Sequence, residues 1–263
     1  MFRIVFLGDI VGKSGRSLLK RVVPELRAEF AADLIIANGE NAAGGLGIDP
    51  ATAAEIFEAG VQVITTGNHV WHKREVFGLL KSNPNVIRPL NFAEGAPGNG
   101  WTIWSSPAGI RVAVVNAIGR VFMPQLVDCP FRAVENLLST ELATTPIRII
   151  DFHAEATSEK VAFGYAQDGK ATLVVGTHTH VQTADLRILP GGTAYISDLG
   201  MCGPLDGVIG VSAEIVVEKF RSGLPGKFDL ANGATQLCGV FVELDELTGK
   251  ALRCERIYRT FDS

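Results

Sequence analysis

Short apolar runs recur along the chain, each ended by glycine or by polar residues, and many are followed by segments with apolar residues at helical spacing. Residues 3–7 form a β-branched run stopped by Gly8 and predict a buried strand. Residues 16–30 then carry Leu18, Leu19, Val22, Val23, Leu26 and Phe30 at helical spacing, and Pro24, which removes a backbone donor, counts against that helix being continuous. The alternation repeats with a strand at 34–37, a helix at 50–59 opened by Pro50, a strand at 61–65 and a helix at 75–80. Such alternation predicts a parallel sheet joined by right-handed crossovers.

From residue 101 the predicted strands come closer together, at 101–104, 111–115, 147–151, 172–175, 193–196, 237–242 and 251–258. The last two flank a hairpin-like string from Asp245 to Lys250. Helices are predicted at 131–138, 158–167 and 212–220. The pattern predicts an α/β chain with two mixed sheets packed face to face and helices outside. No linker or repeat divides it, so residues 1–263 are read as a single domain.

The strand ends carry the chemistry. The first strand runs into Gly8-Asp9, the second into Asn38-Gly39-Glu40-Asn41 and the third into Gly67-Asn68-His69. Later strands end at Asp151-Phe152-His153 and at Gly176-Thr177-His178-Thr179-His180. In a parallel sheet such ends lie along one edge, so the clusters should meet in one crevice. Together they offer carboxylates, amide oxygens and imidazoles, a set suited to Mn, Fe, Co, Ni or Zn, and numerous enough for two ions.

His178 and His180 are the most informative pair, because residues two apart on an extended segment point the same way, with Cβ atoms roughly 6–7 Å apart. That separation could serve two ions about 3.5–4 Å apart. A lone pair of this kind fits a surface loop equally well; the four other clusters favour the metal reading. Asp9 alone could cap a helix, and Asn38 and Asn41 could be turn residues. Glu40, at the end of a very apolar run, would be costly to bury without a partner, and a metal removes that cost. His69 has the character of a proton donor to a leaving oxygen, whereas His72 reads as structural or supporting. The string Gly8 to Ser14 fails as a phosphate-binding Walker loop, having three residues rather than four between its glycines. Asp185, Asp198 and Asp206 read as turn and capping residues.

Composition narrows the picture further. The 263 residues are 47% hydrophobic and 20% charged with a formal net charge of −4, the profile of a globular protein. With no dense Lys/Arg run, no stable nucleic-acid complex is expected, yet a small phosphate ester is compatible because a bound cation reverses the local field. The N-terminal apolar run is too short for a secretory segment and no later run is long enough to span a bilayer, so a cytoplasmic protein with no membrane association is expected. Cys129, Cys202, Cys238 and Cys254 have no paired spacing and read as structural.

The strings GDIVGKSGR, NGENAAGG, TTGNHVW, DFHAEATSEK and GTHTHVQTADLRILPGGTAYISDLGMCGP, spanning residues 8–204, resemble the YmdB-like branch of the calcineurin-like metallophosphoesterase superfamily. Val11 and Glu40-Asn41 stand where the wider superfamily has a histidine ligand and a bridging aspartate, and both departures favour that branch. The resemblance implies a four-layer αββα sandwich that forms homo-oligomers. It implies two divalent or trivalent ions, Fe and/or Mn with Zn or Mg as alternatives, and a bridging hydroxide that attacks phosphorus. Glu40 would bridge them; Asp9, Asn41 and His180 would complete one site, and Asn68, His153 and His178 the other. His69 would be the general acid, and the substrates 2′,3′-cyclic nucleotides. Alternatives are a phosphomonoesterase, separable by assays on mono- and diesters, and a regulatory protein that keeps the metals but not the catalysis.

Overall fold

The computed structural model describes residues 1–262. The run at 3–7 extends into β1 (Phe2–Ile10), almost wholly buried because both of its faces are covered. It leads through α1 (Gly12–Phe30) to β2 (Leu34–Asn38), then α2 (Pro50–Glu58) and β3 (Val63–Thr65). The start of α2 is fixed by Asp49, whose side chain accepts from the Thr52 amide while Thr52 bonds back to the Asp49 amide. A short 3₁₀ turn at Val70–His72 precedes α3 (Val76–Ser82). Then follow β4 (Trp101–Ser105), β5 (Arg111–Ile118), α4 (Pro130–Ser139), β6 (Ile147–His153), α5 (Thr157–Gln167) and β7 (Leu173–Thr177). The chain ends with β8 (Arg187–Ile188), β9 (Ala194–Ile196), β10 (Met201–Pro204), α6 (Ala213–Ser222), β11 (Thr235–Leu244) and β12 (Ala251–Phe261).

These strands form two six-stranded mixed sheets, ordered β12-β11-β10-β1-β2-β3 and β4-β5-β6-β7-β9-β8. In the first, β1, β2 and β3 run parallel; in the second, β5, β6, β7 and β9 do. Side-chain alternation along each strand builds the layers. Ile4 and Phe6 of β1 join Ile36, Val112, Ile149 and Val175 between the sheets. Val5 and Leu7 face the other way, onto Leu19, Val22 and Leu26 of α1 and Ile56 of α2. On the far side, Val115 and Ile150 pack against Val134 of α4 and Phe163 of α5. The result is the αββα sandwich the resemblance implies.

Helix α1 runs through Pro24 as one segment, so no break interrupts the predicted helix there. The residue is exposed, as is Lys20, whose carbonyl loses its amide donor to the ring. The strands β8 and β10 and the 3₁₀ turn were not anticipated. Residues 201–204 read Met-Cys-Gly-Pro, poor in strand formers, and pair with the end of β1 through tertiary context. Cys202 and Cys238 are buried, and burial pushes both thiols up, in keeping with an unreactive core role. Among the described residues no helix is long and apolar enough to cross a membrane.

Gly176 lies in β7 where the chain closes on its neighbour: a Cβ there would run into the backbone carbonyl of Ser197. Gly176→Ala is therefore expected to cost about 1–3 kcal/mol and to lower Tm by roughly 3–10 °C, read by thermal melting. An unchanged melting curve would mean that the two segments separate freely.

Candidate metal centre

The parallel strands of both sheets end on the same side, and the polar clusters meet there. Asp9 is set by a register shift: Leu7 pairs with Ala37 but Asp9 with Asn38, so Gly8 is the extra residue of a bulge that turns Asp9 toward the crevice. Its Oδ2 accepts from the His178 amide at 3.1 Å. Its Oδ1 is buried and has no hydrogen-bond partner among the described residues.

Glu40 and Asn41 follow β2. Glu40 is fully buried, yet its Oε1 accepts from Asn41 Nδ2 at 3.1 Å and its Oε2 from the His69 amide at 3.2 Å. Asn68 and His69 follow β3, where Asn68 Oδ1 lies 2.7 Å from His153 Nε2 at the end of β6. One ligand atom each from Glu40, His153 and His178 lies within 4.8 Å of the others, and the same holds for Asp9, Glu40 and His180. All seven candidate ligands thus come together, with Glu40 common to both groups. Asn41 turns its amide nitrogen toward Glu40 and, at 2.9 Å, toward His180 Nε2; its oxygen lies 2.8 Å from His69 Nδ1. A half-turn of the amide would exchange the two atoms.

The protonation pattern fits a cation. Burial pushes Asp151 up to about 6, still ionised at neutral pH, so Thr65, Asn38 and Thr177 all donate to it. Thr177 Oγ1, having given its proton, can only accept from His153 Nδ1 at 2.9 Å. That fixes the tautomer and leaves the Nε2 lone pair of His153 facing Asn68 Oδ1 at 2.7 Å and Glu40 Oε2 at 3.2 Å. Three acceptors therefore converge. Burial pushes His153 well below the ordinary imidazole value, so a proton is a poor way to satisfy them. Burial disfavours an ionised Glu40, and the neighbouring imidazoles pull its carboxyl below its usual range only when they carry a proton. Asp9 is raised, by burial first and then by Glu40 and Asp198. A cation would relieve the convergence, the orphaned Asp9 oxygen and the carboxylate repulsion together, and the donors present are of the right chemical kind.

Three readings from the sequence need correction. His178 and His180 do not lie on an extended segment: β7 ends at Thr177, and the two have φ of 106° and 66°. They diverge into the two ligand groups because the loop coils back there, a strained backbone of the kind found at functional sites. Asp198 is no mere turn residue. It is buried, pairs with Lys160 of α5 at 2.6 Å and accepts from the Thr179 amide and hydroxyl, so it holds the histidine loop from beneath. Asn38, also read as a possible turn residue, is the buried end of β2 and donates to Asp151.

Glu155 was missed: its carboxylate lies 3.1 Å from His178 Nε2. Its position two residues beyond His153 was the available signal. His72 packs its ring edge-on to His69, centroids 4.9 Å apart, consistent with a supporting role.

These residues open into a cleft of about 280 Å³ lined by Glu40, Asn41, His69, Glu155, His178 and His180. One wall is apolar, made of Ile209, Val211, Phe228 and Leu230.

Known proteins share both the sequence and this architecture. A Bacillus subtilis (strain 168) protein named 2′,3′-cyclic-nucleotide 2′-phosphodiesterase is 48% identical over 255 residues, 97% of this chain and 96% of its own. A solved structure of a Mycoplasma pneumoniae protein described as a novel phosphatase superposes with a TM-score of 0.93 at 38% identity, covering 99% of this chain and 94% of that one. A Thermus thermophilus structure, described as a hypothetical protein, gives 0.92 at 37% identity over 98% of this chain and 99% of that one. With the profile of YmdB-like proteins matching residues 5–257, the strand-end clusters and the sandwich that gathers them have one account: the chain belongs to the YmdB-like protein family.

Proposed function

We propose that this chain is a metal-dependent phosphodiesterase of one domain that opens 2′,3′-cyclic nucleotides at the 2′ ester, leaving the phosphate on O3′. The observation that carries this reading is the convergence of buried acceptors on Glu40, shared by two ligand groups, beside an orphaned Asp9 oxygen. The name of the Bacillus subtilis relative supplies the substrate class.

Asp9, Asn41 with its amide turned over, and His180 would hold one cation; Asn68, His153 and His178 would hold a second; Glu40 would serve both. Iron or manganese suits this mixture of carboxylate, amide and imidazole. When bound, such cations supply Lewis acidity, neutralising charge on phosphoryl oxygens and making water a stronger acid.

The chain's own residues do the rest. The Thr177–Asp151 relay keeps His153 in its ligand tautomer. With its amide turned over, Asn41 would donate to His69 Nδ1 and leave the transferable proton of His69 on Nε2. His69 lines the cleft, and it would protonate the departing ribose oxygen.

The founding test is hydrolysis of 2′,3′-cyclic AMP with and without a chelator, alongside p-nitrophenyl phosphate and elemental analysis. Chelator-sensitive release of 3′-AMP is the expected result; activity confined to the monoester would replace this reading with a phosphomonoesterase.

His69→Ala should keep its metal and lose about 10²–10⁴-fold in kcat on the cyclic nucleotide. On a p-nitrophenyl diester, whose leaving group needs no proton, the loss should be much smaller. Equal turnover by variant and wild type on the cyclic nucleotide would remove His69 from the acid role.

Asp9→Asn should lower bound metal by elemental analysis, yet the chelated variant should melt no lower than the chelated wild type, because it removes a buried carboxylate. Full metal occupancy in this variant would take Asp9 out of the ligand set. Adding Mn²⁺ at 100-fold its Kd to chelated wild type should stabilise by about 2.7 kcal/mol, raising Tm by roughly 5–10 °C.

A further inference from the structure

The apolar wall of the cleft has no part in holding a cation. It comes from residues 205–234, the excursion between β10 and β11 that carries α6, and its placement is built in. The Ile209 carbonyl lies 2.9 Å from His180 Nδ1, so the wall is tied to a candidate ligand. The Phe228 ring rests on the backbone of Gly45, where a Cβ would come within 2.8 Å of it, and Gly45 has a φ of 90° that also favours glycine. Leu230 sits likewise over Gly12, the first residue of α1. Two glycines thus leave room for an aromatic and an aliphatic side chain beside the metal ligands. Phe228 is nevertheless 46% exposed, although it lines the cleft beside the candidate ligands.

No lysine or arginine among the described residues lines this cleft. It therefore suits neither a polyphosphate nor a nucleic-acid backbone, both of which need several cationic contacts. A single phosphate at the cations with a flat, uncharged group beside it matches both halves. On the reading of the site proposed above, on which this rests, we infer that Phe228, flanked by Leu230 and Ile209, is the platform on which the nucleobase of the substrate stacks. The wall offers only hydrocarbon, so the base is recognised by its face and not by its edge. All four 2′,3′-cyclic nucleotides are then substrates, with purines favoured over pyrimidines by their larger stacking area.

The experiment compares Phe228→Ala, Phe228→Trp and wild type on 2′,3′-cyclic AMP and on ribose 2′,3′-cyclic phosphate, which has the same reacting group and no base. Phe228→Ala should raise KM for the nucleotide roughly tenfold, the order expected for a lost stacking contact, with kcat close to wild type. The same variant should leave kinetics on the ribose compound unchanged, and Phe228→Trp should restore the nucleotide KM. An unchanged nucleotide KM, or equal losses on the two substrates, would overturn the platform. Wild type that hydrolyses neither compound would overturn the reading of the site itself.

Discussion

One buried carboxylate holds the two halves of the molecule in register. Asp151 lies near the end of β6 in the second sheet, and it accepts from Asn38 at 2.9 Å and Thr65 at 2.5 Å, both in the first sheet, and from Thr177 at 2.7 Å in its own. Away from the strand ends the layer between the sheets is hydrocarbon, which fixes distance well but orientation poorly. Directional bonds to a charge, all sheltered from water, fix where the strand ends sit relative to one another. Since every candidate ligand hangs from those ends, the geometry of the centre is inherited from this junction.

The same carboxylate acts chemically at one remove. Through Thr177 it decides which nitrogen of His153 carries the proton, and so which one is presented to Asn68 and Glu40. Folding energy and site chemistry are thus coupled: the bonds that close the sandwich at this edge also create an arrangement of facing lone pairs that the polypeptide alone leaves unresolved. Such conflicts are tolerated only where a surrounding core over-determines the structure, and here three apolar layers do so.

Much of this was legible in the sequence, for identifiable reasons. Strands such as β1 and β2 are continuous apolar runs because both faces are covered, and continuous runs with abrupt polar ends are easy to read. The candidate ligands stood out because a carboxylate or imidazole directly after such a run is costly to bury unless something binds it. What could not be read were features decided by contacts between distant residues. The strand β10 exists because β1 and β11 flank it, although its own residues have no strand preference. The roles of Asp151, Asp198 and Glu155 depend on partners 26, 38 and 23 positions away, and the closeness of Asp151 and Glu155 to His153 in sequence does not say which groups they bond. Residues 178–180 illustrate the opposite case, where a pair that the fold does bring into the cluster was picked out on a wrong premise about backbone shape.

The buried pair between Lys160 and Asp198 carries one further implication. Lys160 belongs to α5 in the outer helix layer, while Asp198 grips the loop bearing His178 and His180 through Thr179. A shift of that helix by a fraction of an ångström is therefore delivered to the imidazoles along a rigid, water-free strut. Evolutionary drift in the packing beneath α5, far from any substrate, has a direct route to metal affinity, and the outer layer of this sandwich is under functional as well as structural constraint.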